Sequence, residues 1–405
     1  MQVLILSAVW PEPTSSAAGS RMMQLITSFI NESWSVCYAS TASLSPFSAD
    51  LENNGVSTAT VILNDPSFDT FIQQLDPDIV VFDRYMVEEQ FGWRVEQYCP
   101  EALRILDSED LHCLRKTREQ ALKTKTAFAE EALFNTHAFR ELASIYRCDL
   151  TLVISEFEMK LLHSFFKVPR QLLLYLPFLL EKITKPYKRF DERQHFVTIG
   201  NFLHPPNWDS IHYLKTTIWP LIRKQLPQAE MHIYGAYPTP KVFQLHKEEE
   251  GFFIKGRADD AYTVVANARI VLAPLRFGAG LKGKLIDAMC CGTPSVTTSI
   301  GAEGIAGTLP WSGAIEDEAS AFAKAAIQLY TDESLWQTAQ EVGIQIINRR
   351  FSKTEFETIF ISRIQTLMGD LKSHRQSNFT GAMLHHHTLQ STKYLSKWIE
   401  EKNKD

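Results

Sequence analysis

Short apolar, β-prone runs recur along this chain, each followed by a longer stretch of helical pattern, and the series occurs twice. In the first half the runs are Val3–Ser7, Ser35–Ala39, Ile79–Phe82, Leu103–Leu106 and Leu150–Ile154, with a helix predicted from about Ser20 to Phe29. Parallel strands need crossover connections, and the crossing helices cover both faces of the sheet, so the alternation predicts an α/β domain. A second series follows, with strands at His195–Ile199, Glu230–Tyr234, Gly251–Ile254, Ile270–Ala273 and Ser295–Thr298, and helices at Asp209–Leu226 and Asp260–Ala268. Between them lie Pro177, Lys182, Lys185, Pro186 and the polar run Lys188–Gln194, which read as a linker. A chain of 405 residues with 45% hydrophobic content also exceeds one ordinary core. Two doubly wound domains are therefore expected, residues 1–185 and 190–372, with a helical tail 375–405 crossing back to the first. Within the first, Arg115–Tyr146 reads as a long, charged, mostly helical stretch, and Ser155 with Glu158 as a capping box.

Composition excludes several function classes. A formal charge of -6 gives no basic field for nucleic acid or anionic lipid. The opening MQVLILSAVWPEP lacks a basic flank and is broken by Pro11 and Pro13, so it reads as a first strand rather than a signal peptide. No stretch reaches the ~20 apolar residues of a membrane span, and a cytoplasmic protein is expected. Six cysteines without CxxC spacing fit reduced thiols. The triplet His385–His387 hints at metal, but three consecutive helical side chains point different ways, and solvent exposure is the expectation.

Chemistry concentrates in Pro274–Pro294, the stretch PLRFGAGLKGKLIDAMCCGTP. It follows a buried strand and opens a helix near Lys282. Gly278, Gly280 and Gly283 let backbone approach a ligand, and the free N–H groups of a helix start favour an anion. Lys282 and Lys284 add charge for a diphosphate, while Asp287, one turn beyond Lys284, suits a sugar diol. Gly278–Lys284 also matches the G-x-x-x-x-G-K of a P-loop, but Leu285 stands where that motif needs Ser or Thr for magnesium.

The segment and its surroundings resemble the group 1, or family 4, glycosyltransferases of the GT-B fold. The matching residues run in order: Pro206 and Asn207, Pro227 to Ala229, Gly235, Gly256 with Asp259 and Asp260, Pro274 to Pro294, and Gly301 to Gly304. In the first half the likeness is looser, at Gly19-Ser20-Arg21, at Asp107 with SEDLHCLR, and at Ser155-Glu156. Two positions depart. The family has two glutamates separated by seven residues, where this chain has Ala279 and Asp287, and the arginine after the first strand of the second domain is replaced by the loop Gly200–His204.

The resemblance implies a retaining, metal-independent transfer from a UDP- or GDP-sugar, with no bound cofactor. Lys284, Lys282, Asp287 and His112 become the expected catalytic residues. Gly278, Gly280, Gly283, Arg276, Asn207, Glu303, Gly304 and Gly19 become the expected donor contacts, with His204 beside Asn207 and Arg276 helping to neutralise the diphosphate. His112 has a second reading as a structural histidine; Arg21 reads equally as a contact to acceptor or phosphate and as a solvated helix arginine, and Arg115 and Arg118 as a solvated or ion-paired face, with acceptor phosphate binding the lesser reading. A glycan, lipid-linked oligosaccharide or protein is the expected acceptor, as in polysaccharide biosynthesis, with peripheral association at the inner membrane face open. The alternatives are a GT-B nucleotide-sugar epimerase and a catalytically silent donor-binding subunit, the latter suggested by Ala279.

Overall fold

The computed structural model describes residues 1–184 and 187–403, so Lys185 and Pro186 of the expected linker and the last two residues of the expected tail lie outside it. Seven parallel strands form the first sheet: β1 (Gln2–Ser7), β2 (Ser35–Ser40), β3 (Ser57–Thr60), β4 (Ile79–Asp83), β5 (Leu103–Asp107), β6 (Leu150–Val153) and β7 (Leu173–Tyr175), in the order β3-β2-β1-β4-β5-β6-β7. Six more form the second: β8 (Gln194–Ile199), β9 (Met231–Tyr234), β10 (Phe252–Gly256), β11 (Ala268–Ala273), β12 (Ser295–Thr297) and β13 (Gly313–Ile315), in the order β10-β9-β8-β11-β12-β13. Both sheets reverse direction of winding beside their first strand, between β1 and β4 and between β8 and β11. At such a switch point the loops leaving the strand ends diverge and open a crevice for ligand.

Burial explains why β1 reads as an unbroken apolar run. Val3 and Ile5 pack under Met22, Leu25, Ile26 and Phe29 on one face, while Leu4 and Leu6 pack against Phe68, Ile72 and Phe91 on the other. The sequence pattern did not reveal β3, β7 and β13. All three are short, and each closes a sheet edge or near-edge where little apolar surface is required.

The return of the chain to the first domain comes earlier than expected. Leu180 N–H donates to Phe351 O (2.8 Å) and Lys353 N–H donates back to Leu180 O (3.0 Å), so the outgoing and returning strands of the linker are tied together. The helix Lys353–Gly369 then places Phe360, Ile361, Ile364 and Leu367 in the core of the first domain. Burying each such side chain stabilises by roughly 1.5–3 kcal/mol. Its apolar face is plain in the sequence, but which sheet it covers is not. The last helix, Phe379–Lys402, lies on the helices Tyr85–Tyr98 and Thr136–Arg147. Buried Arg94 anchors it through ion pairs with Asp69 and Glu400, and its Nη2 donates to Ser396 Oγ (3.2 Å). The histidine triplet splits: His386 and His387 are exposed, whereas the His385 ring is tucked against Arg147 O (2.9 Å).

Three local expectations are corrected. Arg115–Tyr146 is two helices, His112–Thr124 and Thr136–Arg147, because Lys125 turns left-handed (φ 56) and Asn135 caps the second by accepting from Ala138 N–H. The helix at Asp209 begins at Pro205, a residue whose missing N–H suits a first turn. It widens into a π-turn at Leu214–Ile218, immediately before Pro220 in the continuing helix, which relieves the clash of the proline ring with the preceding turn. Ser155 forms no capping box either. Glu158 points away from it and accepts from Leu111 N–H (3.0 Å) and Gly280 N–H (2.8 Å).

Candidate active site

The carboxyl ends of the two sheets face each other across a cleft of about 710 Å³. From the first domain it is lined by the loop and helix start at Pro13–Ala18, by Arg84 after β4, and by Glu109, Asp110 and His112 after β5. The second domain contributes Gly200–Asn201 and His204 after β8, Asn207, Asp259–Tyr262, and Leu275 and Phe277–Lys284 with Asp287 after β11. Every one of these groups follows a strand end, as the topology requires.

Lys284 is held in place from outside the glycine-rich segment. Its Nζ donates to Asn207 Oδ1 (2.7 Å), and the Asn207 amide in turn donates to Asn201 O (2.9 Å). Gly200 leaves the space: a Cβ there would sit 2.7 Å from Asn207 Nδ2 and 2.9 Å from Lys284 Nζ. Lys282 is buried, with Nζ donating to Gly280 O (2.9 Å). Burial pulls both lysines down to about 8. Neither has a carboxylate within ion-pair distance among the described residues, although Glu303, Glu158 and Asp110 act on Lys282 from further away. Asp287, on the next turn of the helix Gly283–Cys290, accepts from Tyr262 Oη (3.1 Å), and burial lifts it to about 6 against that bond.

A second helix start faces the first. Ser16 caps the helix Ala17–Asn31 by accepting from Gly19 N–H (3.1 Å), and Ala17 touches Gly283 so closely that a Cβ on the glycine would overlap that of Ala17. Two positive helix ends and two ammonium groups without direct ion pairs thus converge on one side of the cleft. That arrangement can hold a dianion. On the other side His112 rests edge-on against Tyr85 with Nε2 3.5 Å from Asp110 Oδ1, and burial depresses it to about 4, leaving a neutral imidazole. The first turn of its helix is capped by Glu141, which accepts from His112 and Cys113 N–H (both 2.7 Å).

Not every residue singled out in the sequence lies here. Arg276 turns out of the cleft, pairing with Asp209 (Nε to Oδ2 2.9 Å) and covering the Tyr213 ring. Glu303 is clamped by Arg118 from the first domain (2.9 and 2.7 Å), whose Nη1 also donates to Gly278 O (2.9 Å). The ion-paired reading of Arg118 holds, but the partner is in the other domain. Gly304, at φ +79, faces Ser155 Oγ, and Gly19 abuts the backbone of Glu12, so both glycines admit protein rather than ligand. Gly280, at φ +61, both lines the cleft and sits against Asp110, where a Cβ would approach to 2.9 Å. Arg21 is neither solvated nor in the cleft: it is buried, pairing with Asp107 (3.0 Å) and donating to Leu176 O (2.7 Å).

Arg84 was missed, and the helix start at Ala17 was placed too late. Arg84 (φ 70) and Glu109 (φ 59) both adopt left-handed backbone at neighbouring strand ends, a strained arrangement that concentrates at functional sites. The available signal for Arg84 was its place just after β4, at the carboxyl edge. Burial, then the Asp107 carboxylate, lifts Glu109 to about 8.

These shifts set the pH behaviour of anion binding. The lysines are cationic below about 8 and lose charge above it, while Asp287 is anionic only above about 6. Affinity for a diphosphate anion is therefore expected to peak between those values and to fall on the alkaline side by up to about tenfold per pH unit for each lysine. Calorimetric titration across pH checks this. The anion's own terminal phosphate also titrates near ~6, so the acid limb is assigned by its flattening in Asp287→Asn. An affinity that stays constant through pH 9 contradicts the reading.

Two facing parallel Rossmann-like sheets with the cleft at their carboxyl ends define the GT-B architecture. Solved structures share it: sucrose-phosphate synthase from Thermosynechococcus elongatus (TM-score 0.68, 16% identity, 91% of this chain and 99% of that one) and HepE of Anabaena in complex with UDP (0.68, 13%, 91% and 100%). A glycosyltransferase from Rickettsia africae is also similar (0.65, 10%, 91% and 99%). No curated protein matches by sequence. Residues 193–332 match the family described as glycosyl transferases group 1. The match covers most of the second domain, and the fold of the whole chain is that of the GT-B structures. Among the described residues no helix is long and apolar enough to cross a membrane.

Proposed function

We propose that this protein moves a sugar from a UDP- or GDP-sugar to a hydroxyl of a glycan, lipid-linked oligosaccharide or protein, with retention at the anomeric carbon and no metal at the diphosphate. The observation that carries the reading is the pair Lys282, buried, and Lys284, half-buried, at a helix start inside the cleft with no direct ion pair to a carboxylate among the described residues. Negative charge builds on the diphosphate as the anomeric bond breaks, and preorganised cations and helix N–H groups stabilise it. Lys284, oriented by Asn207, takes the diphosphate together with Lys282, and Asp287 accepts from the ribose hydroxyls. Neutral His112, on the opposite wall, offers a hydrogen bond to the donor sugar. UDP bound to a protein of the same fold is consistent with this assignment.

A silent donor-binding subunit is the second reading, favoured by one observation: Ala279, where the family carries a glutamate, packs on the hydrophobic core of the first domain. Incubation with a panel of UDP- and GDP-sugars separates the readings. Release of UDP or GDP, with sugar passed to an acceptor or to water, is the expected outcome. Donor binding without any product establishes the silent subunit, and recovery of an isomerised donor establishes an epimerase.

A further inference from the structure

At the end of the second sheet away from the cleft, three metal-binding side chains converge. His195 is the second residue of β8, Glu230 immediately precedes β9, and His232 is its second residue. The strands are parallel neighbours with Phe196 opposite Met231, so the three side chains start from adjacent rungs of one ladder. Glu230 Oε2 lies 2.8 Å from His232 Nε2 and 3.4 Å from His195 Nδ1, and the three donor atoms all fall within 4.8 Å of one another. The imidazole rings stack at 4.4 Å and 26°. All three side chains are part-exposed, with 35%, 38% and 16% of the surface of His195, Glu230 and His232 open to solvent, which gives an ion a path of entry.

The backbone gives a second indication. His195 holds φ 63 inside a strand, an uncommon backbone conformation for a residue other than glycine, of a kind that clusters at functional sites. Its ring nevertheless makes no hydrogen bond among the described residues, only the 3.4 Å approach to Glu230.

We propose that His195, Glu230 and His232 form a binding site for a transition-metal dication such as Zn²⁺, separate from the transfer site. Two imidazoles and a carboxylate are a borderline-hard donor set suited to zinc, nickel or copper rather than to magnesium or calcium. Bonds of ~2.0–2.2 Å to each donor need only small movements of three surface side chains, and a water completes the fourth position. A metal would be held by the unprotonated imidazole nitrogens. Lys255 and Arg269, on the flanking β10 and β11, are the nearby cations and limit the affinity. The ion would pin β8 to β9 at their amino ends. Because the cleft lies at the opposite ends of these strands, the site supplies no Lewis acid to the reaction.

The test is calorimetric titration of Zn²⁺ into the tag-free, chelator-stripped full chain. One ion per chain is expected, with a raised melting temperature. Both His232→Ala and Glu230→Gln, surface changes that leave the core untouched, should weaken binding by at least the roughly tenfold that loss of even an outer-shell partner costs, while UDP affinity stays unchanged. A His386→Ala/His387→Ala variant should bind as wild type. Absence of saturable binding, or binding unaffected in both His232→Ala and Glu230→Gln, overturns the proposal.

Discussion

Replacing Lys284 by alanine is expected to lower turnover by about 100-fold or more while the fold survives, because removing one preorganised charge-stabilising donor typically has that effect. The side chain is half-buried at the cleft and oriented by Asn207, and no apolar core side chain is altered by its loss. Nucleotide-release kinetics with an unchanged melting temperature would meet the expectation. Turnover within a few-fold of wild type would remove Lys284 from the mechanism. Asn207→Ala should follow in the same direction with a smaller loss, since the ammonium remains but is free to turn away from the cleft.

The second large effect concerns closure. Gly283→Ala places a methyl group into the Cβ of Ala17 across the domain boundary. The backbone of Gly283 is not left-handed, so the alanine is harmless to the helix itself. The domains must separate instead, and a misplacement of about 1 Å between catalytic groups costs up to about 100-fold. The distinguishing feature is rescue: Ala17→Gly in the same chain removes the obstructing methyl, leaving the nearest remaining atoms at 3.7 Å and 3.9 Å, ordinary contact distances. The double variant is expected to recover most of the lost turnover. A double variant as slow as Gly283→Ala alone would show that the glycine serves the helix start rather than the fit between domains.

Much of the architecture was legible because fully buried parallel strands write themselves as continuous apolar runs, as in Val3–Ser7 and Ile270–Ala273. The edges were not, since Ser57–Thr60 is largely exposed and carries no such signature. Within the site, Lys284 and Asp287 could be read together because one helical turn brings them to the same wall. Asn207 emerged only through resemblance, and its grip on Lys284 depends on a Gly200 whose role is steric. Arg118 and Glu303 were beyond reach, since 185 positions separate them and only the approach of the two domains joins them. Glycines misled for a physical reason. The same absence of Cβ serves a ligand and a neighbouring domain equally well, and Gly283, Gly280 and Gly304 each meet protein. Similarly, the apolar stripe of Lys353–Gly369 declares a buried face without naming the sheet that buries it.

The central claim is that the lysines at the start of the helix Gly283–Cys290 bind the diphosphate of a nucleotide sugar. Isothermal titration of UDP and GDP into the wild-type chain and into the Lys282→Ala/Lys284→Ala variant tests it most directly. One nucleoside diphosphate is expected to bind the wild type at a single site, and the double variant is expected to lose that binding while melting at a similar temperature. Failure of both nucleotides to bind the wild type, or equal binding by the variant, would contradict the assignment.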